Sequence, residues 1–452
     1  MRICKKHCVI AVFVALCALT ASSPAAGERA SSDISWLESW RTQKTATGRW
    51  DGLRDKLEDD GITISCNYTT DIGGNPAGGI KQVAKYSGFL SLGIALDLQK
   101  IASIKGLALT VTNLLASGRD ISAAIGTYYS PQQVYTSGAY YFGELDLSLS
   151  VMDDTMVFEA GRLFAGDLFA VSHVFQYYLT SAVDGRLAAI PSNIFFPHYR
   201  TAAWGTRATY QPNADWHVIA GIYNADPKVE KINNRGADFS FAMDEGYLAV
   251  GQITYKHAQN KEDPGSPGSV TAGAYYESSK FTDLTDSSKR WHGNYGLWAV
   301  ADQMIWEGEW PQYEGPAHLR SGALIAERRR HPYHQQPVTP LDRPVGLTAW
   351  CGAVLAPNAR INTQTYEIAS GLVYQGLPPN RNRDVTALCF ILGHFSEKLD
   401  GQTNEMIVEL NHRFQLSQWF YLTPDIQCII NPDGRSDVDP ALVLGFEASV
   451  NF

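Results

Sequence analysis

The sequence predicts an all-β protein, a sixteen-stranded antiparallel transmembrane β-barrel. Three observations predict this fold class. Apolar and polar residues alternate in segments along the whole chain, as in 90–98 and 144–151. Aromatic residues such as Trp204 and Trp419 cluster near the ends of these segments. After the amino terminus, no apolar stretch has the roughly 18 residues that a membrane-spanning helix needs. Strands with one apolar and one polar face are typical of a barrel wall between lipid and water.

Sixteen segments of this kind follow one another. An open sheet would leave unpaired amide groups in lipid, so the sheet must close. A soluble sandwich or propeller is the alternative, and the length of the strands, the aromatic girdles and the unequal turns argue against it. The predicted strands lie near residues 62–71, 86–98, 106–115, 139–152, 155–163, 201–211, 215–224, 245–256, 269–281, 293–306, 345–356, 364–375, 385–396, 403–415, 418–430 and 440–452.

The amino terminus has the pattern of a secretory signal peptide, which we assign to residues 1–26. Three basic residues precede a short apolar run, and small residues follow it. Cleavage there would change the formal net charge from −9 to −12, and no basic patch suggests nucleic acid. Residues 27–61 form a predicted periplasmic segment with one short amphipathic helix over 49–61, and residues 62–452 form the barrel.

The connections between strands are unequal in length, as expected for short periplasmic turns and long external loops. The turns at 152–155, 211–215 and 416–418 are tight. By contrast, residues 116–138, 164–200 and 225–244 form long loops. Residues 307–344 break this alternation, because a long connection stands where strand counting expects a short turn. We therefore interpret 307–344 as an insertion of unknown role.

The loop 164–200 is the predicted constriction loop. It is rich in aromatic residues and also carries charges of both signs, and so much apolar surface would aggregate in water. We therefore expect it to fold inward and narrow the pore. Aromatic rings and charged groups together suit a neutral polyhydroxylated solute. The alternative is that the aromatics only anchor the loop and that the arginines pair with acids on the wall.

Six pieces of the chain resemble, in order, the OprB-type carbohydrate-selective porins of Gram-negative outer membranes. The resemblance implies diffusion of small carbohydrates through a charged and aromatic constriction, in an outer membrane and without a cofactor. It supplies Arg162, Asp167, Tyr199 and Arg200 as site residues. The pieces are GRWDGLRDKLEDDGITISCNYTTDIGGNPAGG (48–79), EAGRLFAGDLFA (159–170), WGTRATYQPNADWHVIAGIYNADP (204–227), YGLWAVADQMIW (295–306), LVYQGLPPNRNRD (372–384) and ELNHRFQLSQWFYLTPDIQCIINPDG (409–434).

The predicted site has no catalytic and no metal-binding residues. A general diffusion porin and an outer-membrane barrel enzyme are the alternative functions. An enzyme would need a nucleophile and a base that converge, and the histidines lie in no recognisable nucleophile motif. The predicted residues of the pore constriction are Arg162, Asp167, Tyr177, Tyr178, Arg186, His198, Tyr199, Arg200 and Arg207.

The last strand, 440–452, indicates two partners of the protein, the outer-membrane lipid and the outer-membrane assembly machinery. Alternation places Leu444 and Phe446 toward lipid and Glu447 toward the lumen. The terminal Phe452 is similar to the signal by which the outer-membrane assembly machinery recognises barrels. Whether the barrel is a homotrimer stays open. Four cysteines remain after the signal, and the sequence does not decide whether Cys66, Cys351, Cys389 and Cys428 pair.

Overall fold

Sixteen antiparallel strands close into one barrel in the computed structural model. Strand β1 (Ile62–Ala77) pairs with the last strand, β16 (Ala441–Asn451), from Asn67 opposite Asn451 to Ala77 opposite Leu442. Closure removes the two free edges that an open sheet would expose to lipid. The structure describes residues 39–134, 138–183, 185–230, 235–241, 244–309, 344–378 and 381–452.

The predicted sixteen-stranded antiparallel fold is confirmed, with shifts at the strand ends. The largest shift is in β1, which continues through a Gly-Gly-Asn-Pro-Ala stretch to Ala77. It continues because β2 pairs with it as far as Gly74 and β16 pairs with it as far as Ala77. A register shift between Gly74 and Ala77 accommodates Pro76. The other strands are β2 (Ala84–Asp97), β3 (Leu107–Gly118), β4 (Ala139–Val151), β5 (Met156–Leu163), β6 (Ala203–Tyr210), β7 (Trp216–Asn224), β8 (Tyr247–His257), β9 (Gly268–Thr282), β10 (Arg290–Glu307), β11 (Gly346–Leu355), β12 (Gln364–Gln375), β13 (Val385–Phe395), β14 (Asn404–Gln415) and β15 (Phe420–Ile430).

Side chains alternate between the two faces of the wall. In β16, Glu447 and Ser449 are each 1% exposed, whereas Leu444 is 48% exposed. The polar residues therefore face the lumen and the apolar residues face lipid, as the sequence predicts. Outward aromatic pairs lie near both ends of the strands. Their ring centroids are 6.3 Å apart for Tyr247 and Tyr276 and 4.9 Å apart for Trp216 and Tyr255.

A short helix precedes the first strand, as predicted. Helix α1 (Leu53–Asp59) follows a 3₁₀ turn at Trp50–Gly52. It begins later than the apolar spacing indicates because Asp51 and Gly52 have positive φ angles of 54° and 89°. The Arg54 guanidinium donates a 3.0 Å hydrogen bond to the Phe452 main-chain oxygen. Helix α1 thus lies at the end of the barrel where β1 begins and β16 ends, which we name the α1 end.

The other helices are short. They are α2 (Leu98–Ala102), α3 (Ser122–Ile125) and α4 (Ala189–Asn193). No helix among the described residues is long and apolar enough to cross a membrane. The chain divides into two units, and of the first, residues 1–43, the structure describes a helical turn at 39–42.

The four cysteines among the described residues are free thiols. Cys66 lies on β1, Cys351 on β11, Cys389 on β13 and Cys428 on β15. No two of these strands are neighbours in the barrel, so the sheet keeps the thiols apart.

Two predicted segments lie outside the described residues, the signal peptide at 1–26 and most of the insertion at 307–344. At the ends of the insertion, the Gly308 N–H donates to the Val345 carbonyl at 2.8 Å, and the Val345 N–H donates to the Glu309 carbonyl at 3.0 Å. The pairing of β10 and β11 therefore continues beyond both strands. Because β10 runs toward the α1 end, the insertion begins and ends there.

Candidate functional site

The loop between β5 and β6, residues 164–200, folds into the barrel. Many of its apolar side chains share one buried cluster with inward-facing wall residues, and three of them, Leu168, Phe175 and Leu187, are at most 1% exposed. Burial of this apolar surface stabilises the inward position of the loop. A loop held in the lumen of a sixteen-stranded barrel narrows the opening.

Polar side chains of the wall accept hydrogen bonds from the backbone of this loop. Glu409 of β14 accepts from the N–H groups of Leu179 and Thr180, both at 2.8 Å. Glu367 of β12 accepts from the Ala189 N–H at 2.5 Å. A backbone N–H without a partner would be costly in this buried position, so these acceptors fix where the loop can lie.

More acceptors continue this arrangement around the wall. Glu277 of β9 accepts from the Phe195 N–H at 2.7 Å. Gln252 of β8 accepts from the Ala170 N–H at 2.8 Å. Together with Glu367 and Glu409, these side chains hold the loop from four strands. The sequence did not predict these contacts, because an inward glutamate on a barrel strand looks like any other lumen residue.

Tyr178 anchors the loop through its ring and hydroxyl group. It is 0% exposed, accepts a 2.8 Å hydrogen bond from the Trp350 indole N–H, and donates to the Leu388 carbonyl at 3.1 Å. A Cβ at Gly371 would lie 2.7 Å from the Tyr178 hydroxyl oxygen, so glycine is needed for this approach. Tyr177 is also buried, with its ring centroid 5.2 Å from the Arg413 guanidinium. For these two tyrosines the structure supports the anchoring alternative.

Arg207 faces the lumen side of β6 but is buried beneath the start of the loop. It pairs with Glu159 at 2.7 Å and donates to the Phe164 carbonyl at 2.7 Å. The Phe164 N–H in turn donates to Glu144 at 3.1 Å. Arg207 therefore holds the first residue of the loop, as expected if the arginines pair with acids on the wall.

Arg162 does not face the lumen, and this corrects the prediction. On β5 it lies opposite Leu145 and Trp204, on the outward face that also carries Phe158. The side chain is 0% exposed and donates to the carbonyls of Asp238 and Ala202, both at 2.7 Å. Alternation along the strand decides this position, because Glu159 and Arg162 have opposite parity.

Five predicted residues are half-buried. Four of them lie at the two ends of the loop, and the side chain of Arg186 reaches the same place from the middle of the loop. The Gly166 N–H donates to the Pro197 carbonyl at 2.9 Å, which joins these ends. A Cβ at Gly166 would lie 2.7 Å from the Cβ of His198 and 3.3 Å from a terminal nitrogen of Arg186. Tyr199 packs on the wall, with ring centroids 4.5 Å from Phe89. The five residues are Asp167, Arg186, His198, Tyr199 and Arg200.

His198 belongs to the loop and not to a strand. Burial, together with the nearby positive charges of Arg186 and Arg200, holds its pKa well below the usual range. The imidazole is therefore neutral at neutral pH and contributes hydrogen-bonding groups without charge. The charged groups at the loop ends are then Asp167, Arg186 and Arg200.

A second loop, described over residues 119–134, also enters the barrel, and no feature of the sequence indicates this. Its residues Ile125 and Tyr129 belong to the same buried cluster. The two loops meet where the Ser181 N–H donates to the Ser130 carbonyl at 2.7 Å and the Ser130 N–H donates to the Ser181 hydroxyl at 2.8 Å. Glu405 of β14 accepts from the Tyr129 N–H at 3.0 Å. Wall carboxylates thus hold both loops.

His173 is a residue of the loop 164–200 that the predicted site omits. It lies in the middle of the loop, with its Nδ1 atom 3.6 Å from a carboxylate oxygen of Asp302 on β10. Its side chain is 31% exposed, so it is accessible from the lumen. Among the residues that the structure describes, no three His, Cys, Asp or Glu side chains come together as metal ligands.

The fold and this lumen define a porin, and comparison with known proteins gives the family. Residues 81–452 match the sequence pattern of the family described as "Carbohydrate-selective porin, OprB family". The chain therefore belongs to this family and is an outer-membrane β-barrel protein. It is 22% identical to Porin B of Pseudomonas aeruginosa, covering 90% of this chain and 91% of that protein.

Solved structures show the same fold. OprB of Pseudomonas putida at high pH has a TM-score of 0.75 and 22% sequence identity, covering 91% of this chain and 99% of that one. The low-pH structure of the same protein has a TM-score of 0.56 and 17% identity, with the same coverage of both chains. At this identity the similarity concerns the fold.

The position of Arg162 leads to a prediction. Replacing Arg162 with Ala should leave sugar flux and single-channel conductance unchanged, because the side chain does not reach the lumen. It should lower the free energy of unfolding by about 1–3 kcal/mol, since two buried carbonyls lose a charged donor. Urea unfolding of the reconstituted barrel and liposome swelling measure the two effects. A change in solute selectivity without loss of stability would contradict this placement.

Proposed function

We propose that the protein allows passive diffusion of small carbohydrates across the outer membrane through the opening beside the loop 164–200. The observation that carries the proposal is the group of charged and aromatic residues at the two ends of that loop. Asp167 supplies a negative charge there, Arg186 and Arg200 supply positive charges, and Tyr199 supplies an aromatic ring. Family membership supports the same solute class.

The chemistry of this group suits neutral polyhydroxylated solutes. Guanidinium and carboxylate groups form charge-assisted hydrogen bonds with hydroxyl groups. An aromatic ring offers an apolar face to the C–H groups of a sugar ring. With charges of both signs at the opening, an ion of either sign meets repulsion as well as attraction, whereas a neutral solute meets no repulsion. Each contact is weak enough for the solute to leave again, as conduction requires.

A general diffusion porin is the alternative within the same class of protein. It would share the barrel and the inward loop but would admit small solutes by size alone. The family is one of porins, so an outer-membrane enzyme has no observation in its favour. Recognition of Phe452 by the assembly machinery and assembly as a homotrimer stay predictions.

Liposome swelling tests the proposed selectivity. Vesicles that contain the purified protein should swell faster in glucose or arabinose than in glucosamine hydrochloride, because the protonated amine is repelled by the two guanidinium groups at the opening. Protein-free vesicles are the control. Equal swelling rates for all small solutes would reduce the function to general diffusion, and an absence of swelling would contradict a porin.

Variants at the loop ends test which residues select the solute. Replacing Arg186 or Arg200 with Ala should lower the ratio of glucose to glucosamine swelling rates by up to about tenfold, because glucose loses one charge-assisted hydrogen bond while the glucosamine cation loses a repulsion. Arg162→Ala is the matched control, since it removes an arginine that faces away from the lumen. An unchanged ratio in both loop variants would place the selective residues elsewhere.

A further inference from the structure

We propose that Glu367 and Glu409 are positioning residues that set the size of the pore opening by holding the segment 180–189 of the loop. Neither side chain needs to touch the solute. The proposal rests on the proposed function only in taking the lumen as the route of permeation. It concerns the opening itself, whichever solute passes.

Glu409 fixes one end of the segment. It is 0% exposed, and its two carboxylate oxygens accept from two successive N–H groups, those of Leu179 and Thr180, at 2.8 Å each. The Asn411 amide also donates to this carboxylate, at 2.6 Å. Two bonds to adjacent peptide groups fix both the position and the direction of the backbone. A single bond would leave the peptide free to rotate.

Glu367 fixes the other end. It is also 0% exposed, and it accepts from the Ala189 N–H at the first residue of α4. The loop segment 180–189, which the two glutamates hold at its ends, includes Ser181 and the half-buried Arg186. Ser181 forms hydrogen bonds with the second inward loop. The position of the Arg186 guanidinium therefore depends on backbone held at both ends by the wall.

The choice of residue type supports this role. A hydrogen bond to a charged acceptor is stronger than one to a neutral acceptor. At Ala170 one N–H is held, and there the wall uses the neutral Gln252. At Leu179 and Thr180 two N–H groups are held, and there the wall uses a carboxylate. A glutamine at position 409 would keep one acceptor oxygen and would turn an NH₂ group toward the second N–H.

Single-channel recording of the full-length protein in KCl tests the proposal. Glu409→Gln, Glu367→Met and the double variant should show brief excursions to a higher conductance level, because the loop leaves the lumen more often. Methionine at position 367 has no oxygen that could still accept from the Ala189 N–H. Each hydrogen bond lost to a charged acceptor should raise the frequency of excursions by about tenfold. Unchanged heat-modifiable migration in gel electrophoresis shows that the barrel is still folded.

Asp425→Asn is the matched control. Asp425 is a buried carboxylate of β15 on the lumen side, and it accepts a 2.9 Å hydrogen bond from the Gln427 side-chain amide. The control removes the same charge and should keep the wild-type excursion frequency. If the glutamate variants and Asp425→Asn behave alike, lumen charge and not loop position sets the conductance, and the proposal is overturned.

The recording distinguishes this proposal from the proposed function, because it uses no sugar. A wild-type protein without sugar preference would overturn carbohydrate selectivity and leave the excursion test intact. If the double variant does not fold, Glu367→Met alone decides the outcome, since Glu409 still holds Leu179 and Thr180. A folded single variant with wild-type excursion frequency would contradict a positioning role for Glu367.

Discussion

Hydrogen bonds between loop N–H groups and carboxylates of the wall are the interaction on which the lumen depends. A loop inside a barrel must satisfy its backbone groups, and burial of aromatic side chains alone does not do this. Glu367, Glu405 and Glu409 supply acceptors at fixed heights on β12 and β14. The sheet is rigid because it is closed, so acceptors on its inner face hold the loops in one place. The proposed solute selectivity therefore depends on where the carboxylates lie on the wall.

The same interaction explains the unusual composition of the lumen. Many inward residues of the wall are acidic, and a pore lined by free carboxylates would favour cations. Several of these carboxylates instead face peptide N–H groups, as Glu277 faces Phe195. Others are paired with arginine, as Glu159 is with Arg207. Charge in the wall is thus used for structure, and the charges proposed to contact the solute lie on the loop.

Much of the fold could be predicted from the sequence, because alternation along a strand reports directly on the two solvents of a barrel wall. The site was harder to predict. Counting by two from Phe158 places Arg162 on the outer face, whereas the family motif supplies a charged residue without indicating the face on which it lies. The roles of Glu367 and Glu409 depend on which peptide groups lie opposite them. Such long-range partners leave no local signal, and neither does the inward fold of the loop 119–134.

Hydrogen exchange of the loop amides, measured on the protein reconstituted in lipid, tests the account most directly. The N–H groups of Leu179, Thr180 and Ala189 should exchange as slowly as amides within the strands, because each is bonded to a buried carboxylate. The amides of the exposed residues Asp400 and Gly401, in the external turn between β13 and β14, provide the fast reference. If the three loop amides exchange as fast as that reference, the carboxylates do not hold the loop, and the account is contradicted.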